Sequence, residues 1–362
     1  MSELDIARKN INDIDKKMAA LFEERMREVK KVAEYKREYG LQVFDSGREA
    51  QILEKNSELI KDESLKQYYI NFLQSNMDIS KNYQHRLLEG MTVAFSGVEG
   101  AFANIAANKV FPDALAKAFP DFKSAYNSVV SGECDCVILP IENSYNGDVG
   151  QVMDLAFFGP LFINGVYDIS VVQNLLAVKG TTVDEVKTVI SHPQALGQCA
   201  SYIKKHGFET LETVNTAVAV KQVADWGGHD VAAIGSEEAG IKFGLKKLEA
   251  HINESNNNTT RFAVFSRTAN VNLNTDNHFI MLFTVTNEAG SLGKAISIIG
   301  DNGFNLKALK SRPTKELIWN YYFFVEGEGN INSEQGKKMI DELKAKWSVL
   351  KVLGSFEKEI LL

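Results

Sequence analysis

The sequence predicts a multidomain chain: an all-α N-terminal domain over residues 1–90, an α/β domain over 91–268, and a C-terminal α+β, ferredoxin-like unit over 275–362. Three observations predict it. No Gly or Pro interrupts the stretch from Leu4 to Tyr39, and its apolar residues recur at helical spacing. Beyond Met91, short apolar runs alternate with helical stretches, the pattern of an α/β layer. From His278 the order becomes β-α-β-β-α-β.

At 362 residues, with 44% hydrophobic and 24% charged residues, the chain has material for two or three real cores. A net charge of −7 argues against general nucleic-acid binding but leaves room for local basic pockets. The three cysteines, Cys134, Cys136 and Cys199, form no Cys-x-x-Cys pair. They point to a reducing compartment, against a disulfide framework or zinc site, and read as small core residues. There is no apolar signal core and no run long enough to span a bilayer. The expectation is a cytoplasmic protein without metal or cofactor, contacting neither nucleic acid nor membrane.

The first helix would run roughly 50 Å at 1.5 Å per residue, with Gly40 as its stop. Ile11, Ile14, Met18, Leu21 and Val32 form a heptad-like stripe that also carries Arg25, while Arg8 and Lys36 lie on the flanking row. A cation on an apolar stripe is costly unless something anionic meets it, although snorkelling or a partner-helix salt bridge explains it equally well. A second helix is expected from Ser46, with Glu49 completing a capping box and Asp45 and Arg48 at its mouth. A third, from about Leu65 to Leu88, puts Ser80 and Gln84 in an apolar seam.

Residues 4–88 resemble the all-helical class of chorismate mutase. Arg8, Arg25, Lys36, Asp45, Arg48, Glu49, Ser80 and Gln84 each stand where that family's substrate-binding residues stand. The resemblance implies that the long helix pairs with its copy in a second subunit, so that Arg8 serves the neighbour's pocket. Rearrangement of chorismate to prephenate needs no nucleophile; the site must hold the reactive conformer and stabilise charge on the ether oxygen. Arg8, Arg25 and Arg48 suit the two carboxylates. Lys36 and Gln84 would reach the ether oxygen. Glu49 and Asp45 would hold the ring hydroxyl region, with helix capping as the alternative for Glu49.

In the middle of the chain, Met91–Phe95 reads as a strand followed by glycines that do not fit G-x-G-x-x-G. Cys136–Ile141 is a buried strand ending in Glu142-Asn143-Ser144. Val186–Ile190 is another, ending in Ser191-His192-Pro193-Gln194 and opening a helix through Gln198. Thr213-Val214 leads into Asn215-Thr216-Ala217, and Val231–Ser236 repeats the pattern. Polar groups at the carboxyl ends of buried strands are well placed for ligands. The most pointed stretch is Asn256-Asn257-Asn258-Thr259-Thr260-Arg261-Phe262, where amides, hydroxyls and one cation feed an apolar strand. An ordinary Asn/Thr turn is its plain alternative.

These residues resemble prephenate dehydratase across about 91–268. The carriers are Gly97-Val98-Glu99-Gly100-Ala101-Phe102, Leu139-Pro140-Ile141-Glu142-Asn143-Ser144, Ser191-His192-Pro193-Gln194 with Gln198-Cys199, and Thr260-Arg261-Phe262. The resemblance implies two α/β lobes around a cleft, similar to type II periplasmic binding proteins, with crossovers near Val171 and Ala250. It implies that Thr260 donates to the departing hydroxide as prephenate loses carbon dioxide, and that Glu142, Asn143 and Gln198 orient substrate or relay a proton. Arg261 would anchor a carboxylate or, equally, pair within its loop. His192, preceding Pro193 at a helix start, reads as a capping residue more readily than as an acid.

In the last unit, strands are expected at Phe279–Thr286, Phe304–Ser311, Trp319–Glu326 and Trp347–Leu353, with helices at Ser291–Gly300 and Ser333–Lys346. Asn287-Glu288-Ala289-Gly290-Ser291-Leu292 resembles the strand-to-helix turn of ACT regulatory domains. In dehydratases such domains bind phenylalanine at a dimer interface, through that turn and a Glu-Ser-Arg-Pro motif. Gly290, Ser291, Leu292, Ser311, Arg312 and Pro313 are thereby effector-binding candidates, with Lys310 reversing the motif's first charge. A purely structural dimerisation unit is the alternative. The whole resembles a bifunctional chorismate mutase–prephenate dehydratase: a homodimer or larger homo-oligomer acting on chorismate and prephenate, with phenylalanine as effector. Two other readings stay open, a non-catalytic two-lobed binding or sensor protein and an arogenate dehydratase of the same layout.

Overall fold

The computed structural model describes residues 2–255, 257–270, 275–314, 321–347, 349–358 and 360–362. The chain divides into two compact units, Met1–Thr92 and Val93–Leu362.

The first unit is three helices, α1 (Glu3–Tyr39), α2 (Ser46–Ser57) and α3 (Glu63–Glu89). Ser2 and Asp5 form a capping box at the start of α1, and Gly40 ends it at φ 64°, a conformation that strains any residue with a Cβ. The capping box expected at Ser46 is corrected. Asp45 is the N-cap, accepting from the Arg48 N–H at 2.9 Å, which releases the Glu49 side chain for another partner. Helix α3 packs against both others, burying Ala33 and Met77. The stripe along the first half of α1 finds no cover among the described residues of this unit: Ile11, Ile14, Met18 and Leu21 are 45–63% exposed.

The second unit opens with a lobe built from β1 (Thr92–Ser96), α4 (Phe102–Val110), β2 (Leu115–Phe119), α5 (Phe122–Ser131), β3 (Cys136–Asn143), β4 (Gly147–Asp148), α6 (Gly150–Phe158) and β5 (Phe162–Ser170). The chain then crosses into a second lobe of β6 (Asn174–Ala177), β7 (Thr188–Ser191), α7 (Pro193–Gln198), α8 (Ala200–His206), β8 (Glu209–Glu212), α9 (Thr216–Trp226), β9 (Val231–Gly235), α10 (Glu237–Lys242) and β10 (Lys246–Glu249). It returns through β11 (Thr259–Ser266), which inserts antiparallel between β3 and β5. Asn256, part of the stretch singled out above, lies outside the described residues. All three cysteines are buried, and no disulfide joins them among the described residues.

The last part contains β12 (His278–Thr284), α11 (Ser291–Asp301), β13 (Asn305–Pro313), β14 (Tyr321–Glu328), α12 (Glu334–Lys346) and β15 (Leu350–Phe356), in sheet order β13-β14-β12-β15. Trp319, the expected start of its third strand, and Ser348 lie outside the described residues. The run Phe279–Phe283 is apolar throughout because both faces of β12 are covered. Phe279, Met281 and Phe283 pack toward α11 and α12, while Ile280 and Leu282 join the core of the first lobe. Tyr322 completes that second interface, stacking on Phe157 with ring centroids 4.2 Å apart. A final strand, β16 (Ile360–Leu361), pairs in parallel with β5, so the chain's end extends the first lobe's sheet.

Candidate active sites

In the first unit, the Arg25 guanidinium donates to the Ser80 hydroxyl and, at 3.4 Å, to the Asn76 carbonyl. Ser80 is buried, as is Gln84 one turn further on, whose Oε1 has no hydrogen-bond partner among the described residues. Lys36 reaches the Val43 carbonyl at 2.6 Å. Glu49 pairs with Lys81 at 2.9 Å, and the Lys81 ammonium lies 5.3 Å from the Phe44 ring centroid. Burial alone would lower the Lys81 pKa, but hydrogen bonds to Glu49 and Asp78 outweigh it and raise the pKa. Lys81 was not anticipated; its signal was a cation one residue after a polar seam position. Asp45, Arg48 and Arg8 are exposed. Arg8 lies on the same helix as Arg25, about 25 Å away at ~1.5 Å per residue, beyond reach of that pocket within one chain.

In the second unit, a cleft of about 410 Å³ opens between the two lobes. Asn143 and Thr260 line it from the first lobe, and Gln173, His192, Gln194, Gln198, Asn215 and Thr216 from the second. Among its described lining residues none is Lys, Arg, Asp or Glu. Asn143 stands opposite Thr260 in the β3–β11 ladder. Its amide nitrogen donates to Thr260 Oγ1 at 2.9 Å and to the Asn258 side chain at 3.1 Å. Its amide oxygen accepts from the N–H groups of Tyr145 and Asn146, each at 3.0 Å. With that lone pair occupied by Asn143, the Thr260 hydroxyl has its own proton to donate elsewhere. On the facing lobe, Gln198 Oε1 accepts from Gln173 at 3.3 Å, and the buried Gln173 Oε1 has no partner among the described residues. Gln173 was missed; the Gln173-Asn174 pair between Val172 and Leu175, in an otherwise apolar crossover, was the available signal. His192 caps α7, accepting from the Gln194 N–H at 3.2 Å. Asn215 caps α9, accepting from the Val218 N–H at 2.8 Å.

The expectation for Glu142 is corrected here, and of the two readings of Arg261 the ion pair is the one seen, although its partners lie on other strands. Glu142 and Asn143 are the last residues of β3 rather than a loop beyond it, and successive strand residues face opposite ways. Glu142 therefore turns from the cleft, and so does Arg261 beside Thr260. They meet each other at 3.0 Å, and Arg261 also holds Glu326 of β14 through two bonds, at 3.0 and 2.7 Å. Lys310 reaches Glu142 at 2.9 Å and Asp148 at 2.5 Å. Burial works to raise the Glu142 pKa, but the bonds from Lys310 and Arg261 prevail and hold it below the usual range. Of the effector candidates, Arg312 is engaged by Asp154 of α6 at 2.9 and 3.2 Å, beside the Tyr322 hydroxyl. Ser311 and Pro313 point the other way and are exposed. Gly290 is exposed at φ 81°, the buried Ser291 hydroxyl lies 2.9 Å from that of Thr286, and Leu292 packs on the core beneath α11.

The chain thus joins a helical unit, with Arg25 on buried Ser80, to a two-lobed cleft of amides and hydroxyls. Residues 7–85 match the family model for chorismate mutase type II, and residues 93–270 that for prephenate dehydratase. A bifunctional chorismate mutase/prephenate dehydratase of Buchnera aphidicola is 31% identical, the match spanning 99% of this chain and 97% of that one. Among solved structures, a prephenate dehydratase from Arthrobacter aurescens in complex with L-Phe superposes with a TM-score of 0.69 at 23% identity, covering 74% of this chain and 90% of that one. GqqA, described as a novel type of quorum-quenching acylase, gives the same score at 26% identity, over 73% of this chain and 97% of its own. The chain belongs to the bifunctional chorismate mutase/prephenate dehydratase family, and it is an enzyme with both activities.

Proposed function

We propose that residues 1–90 rearrange chorismate to prephenate, that residues 91–268 convert prephenate to phenylpyruvate, and that residues 275–362 are an ACT domain through which phenylalanine inhibits. In the mutase site, Arg25 and Arg48, with Arg8 from a second copy, hold the two carboxylates, and Lys36 and Gln84 stabilise the ether oxygen. The uncovered stripe of α1 and the distance between Arg8 and Arg25 support a homodimer. Arg8→Ala and Arg25→Ala subunits, mixed, then regain mutase activity that neither has alone; no recovery in a verified heterodimer would sink the shared site.

In the dehydratase site, the carboxylate on the ring leaves as carbon dioxide, its bonding electrons pass into the ring, and the ring C–O bond breaks to expel hydroxide. Thr260 donates to that oxygen, with Asn143 fixing its hydroxyl from behind. The Asn143–Thr260 bond is the observation that carries this reading. Gln198 and Gln173 orient the substrate from the facing lobe. Prephenate is favoured over arogenate because the ammonium of arogenate would need an anionic partner, and no carboxylate stands among the described lining residues. We place the enzyme in the cytoplasm; among the described residues no helix is long and apolar enough to cross a membrane. The test is chorismate turnover by the wild type and Thr260→Ala, separating prephenate from phenylpyruvate. The variant should stall at prephenate; phenylpyruvate at the wild-type rate would overturn the role of Thr260.

A further inference from the structure

We propose that the C-terminal domain is part of the dehydratase machinery: Glu326 is a positioning residue that acts through Arg261 to aim Thr260, and Lys310 acts likewise through Glu142 on Asn143. The inference rests on the assignment of Thr260 and Asn143 to the reaction.

The β3–β11 ladder presents Asn143 opposite Thr260 and Glu142 opposite Arg261. Alternation sends the first pair into the cleft and the second to the back of the sheet, where the C-terminal sheet covers it. The β3–β11 register shifts between Arg261 and Phe262, one residue past Thr260. The extra residue, Ile141, lies on β3, and a bulge re-aims neighbouring side chains, so Glu142 and Asn143 are turned there while β11 stays in unbroken register with β5 from Thr259 to Val264. A second constraint is present at that point. Glu326, 1% exposed, grips the Arg261 guanidinium through both carboxylate oxygens, a geometry that fixes orientation as well as distance. Lys310 bridges Glu142 to Asp148 on β4, clamping the turn that follows Asn143. Lys310 lies on the strand that carries Ser311 and Arg312, so a shift of that strand reaches the dehydratase ladder without any intermediate element.

Glu326→Gln keeps size and shape but removes the charge. In the full-length enzyme it should lower dehydratase kcat about ten-fold, the scale expected of a sub-ångström misplacement, with KM for prephenate unchanged and mutase turnover as in the wild type. Arg261→Gln should show the same kcat loss, and the double variant no more than the worse single. Wild-type kcat in Glu326→Gln, with only a lower melting temperature, overturns the proposal. If Glu326→Gln fails to fold, Lys310→Gln at the rim decides: a several-fold lower kcat at unchanged KM supports the coupling, and an unchanged kcat overturns it. Failure of the underlying assignment is distinguishable, because Thr260→Ala would then retain dehydratase activity whatever Glu326→Gln does.

Discussion

The two candidate sites face the same dianion with opposite chemistry. In the helical unit, prephenate is the product, and the site offers cations: Arg25 on Ser80, Lys36 at the α1–α2 turn, and Arg48 exposed at the start of α2. In the cleft, prephenate is the substrate, and the described lining is amide, hydroxyl and helix start. The rearrangement keeps both carboxylates, so cations that grip them serve ground and transition states alike while fixing the conformer. The dehydration destroys one carboxylate. A guanidinium on that group would stabilise the state that must be left behind, and only interactions stronger in the transition state speed a reaction. Partial charges at the starts of α4 and α9 can hold the surviving carboxylate without this cost.

The largest effects should separate the sites cleanly. Thr260→Ala should lower dehydratase kcat by about 10²–10⁴, the range for a positioned proton donor, with mutase turnover unchanged. Arg25→Ala should lower mutase kcat/KM about 100-fold, the loss of a charged bond to a carboxylate, with prephenate dehydration unchanged. If Arg25→Ala also slowed dehydration of added prephenate, the two sites would not be chemically separate. Asn143→Asp sharpens the cleft further. The shape is kept, but a carboxylate accepts from Thr260 instead of donating to it and draws its proton away from substrate. Dehydratase kcat should fall at least as far as in Asn143→Ala; a milder loss would mean that Asn143 matters through shape alone.

The two regions also differ in how legible they were. The helical unit could be read from spacing because one period of 3.6 residues sets which side chains share a face. Arg25 and Ser80, on different helices, duly meet. In the α/β unit, Asn143 and Thr260 stood at strand ends and were legible. Glu142 was expected at the cleft and Arg261 stood open between carboxylate anchor and ion pair; β3 runs two residues further than its apolar stretch, and parity turns both side chains to the back. Glu326 could not be found at all, since its partner lies 65 residues away across an interface. The sign of that interface was nonetheless printed in the sequence: the unbroken apolar run Phe279–Phe283 has no solvent face, so something must cover the far side.

Acid should weaken the back of the cleft. Glu142 has its folded pKa depressed, so it contributes stability above the ordinary carboxylate range, and that contribution is lost as pH falls through the folded value below that range. Thermal melts should show the second unit losing stability in that window. Glu142→Gln should remove about 1 kcal/mol at neutral pH, discounted for partial exposure, and flatten the acid side of the curve. A variant with the same acid slope as the wild type would assign the sensitivity to another carboxylate.

The smallest expected effect resolves the two readings of Asp45, ring-hydroxyl ligand and helix cap. As the N-cap of α2, it satisfies the Arg48 N–H, and Asp45→Ala should cost about 1 kcal/mol of first-unit stability. Asn caps as well as Asp, so Asp45→Asn should melt like the wild type while removing the charge. Mutase kcat/KM should then fall a few-fold in Asp45→Asn if the carboxylate also meets substrate, as the charged character of this site predicts. Wild-type turnover would leave Asp45 with its cap alone. The remaining hydroxyl contact would pass to Glu49, whose carboxylate is already held in the seam by Lys81 at 2.9 Å.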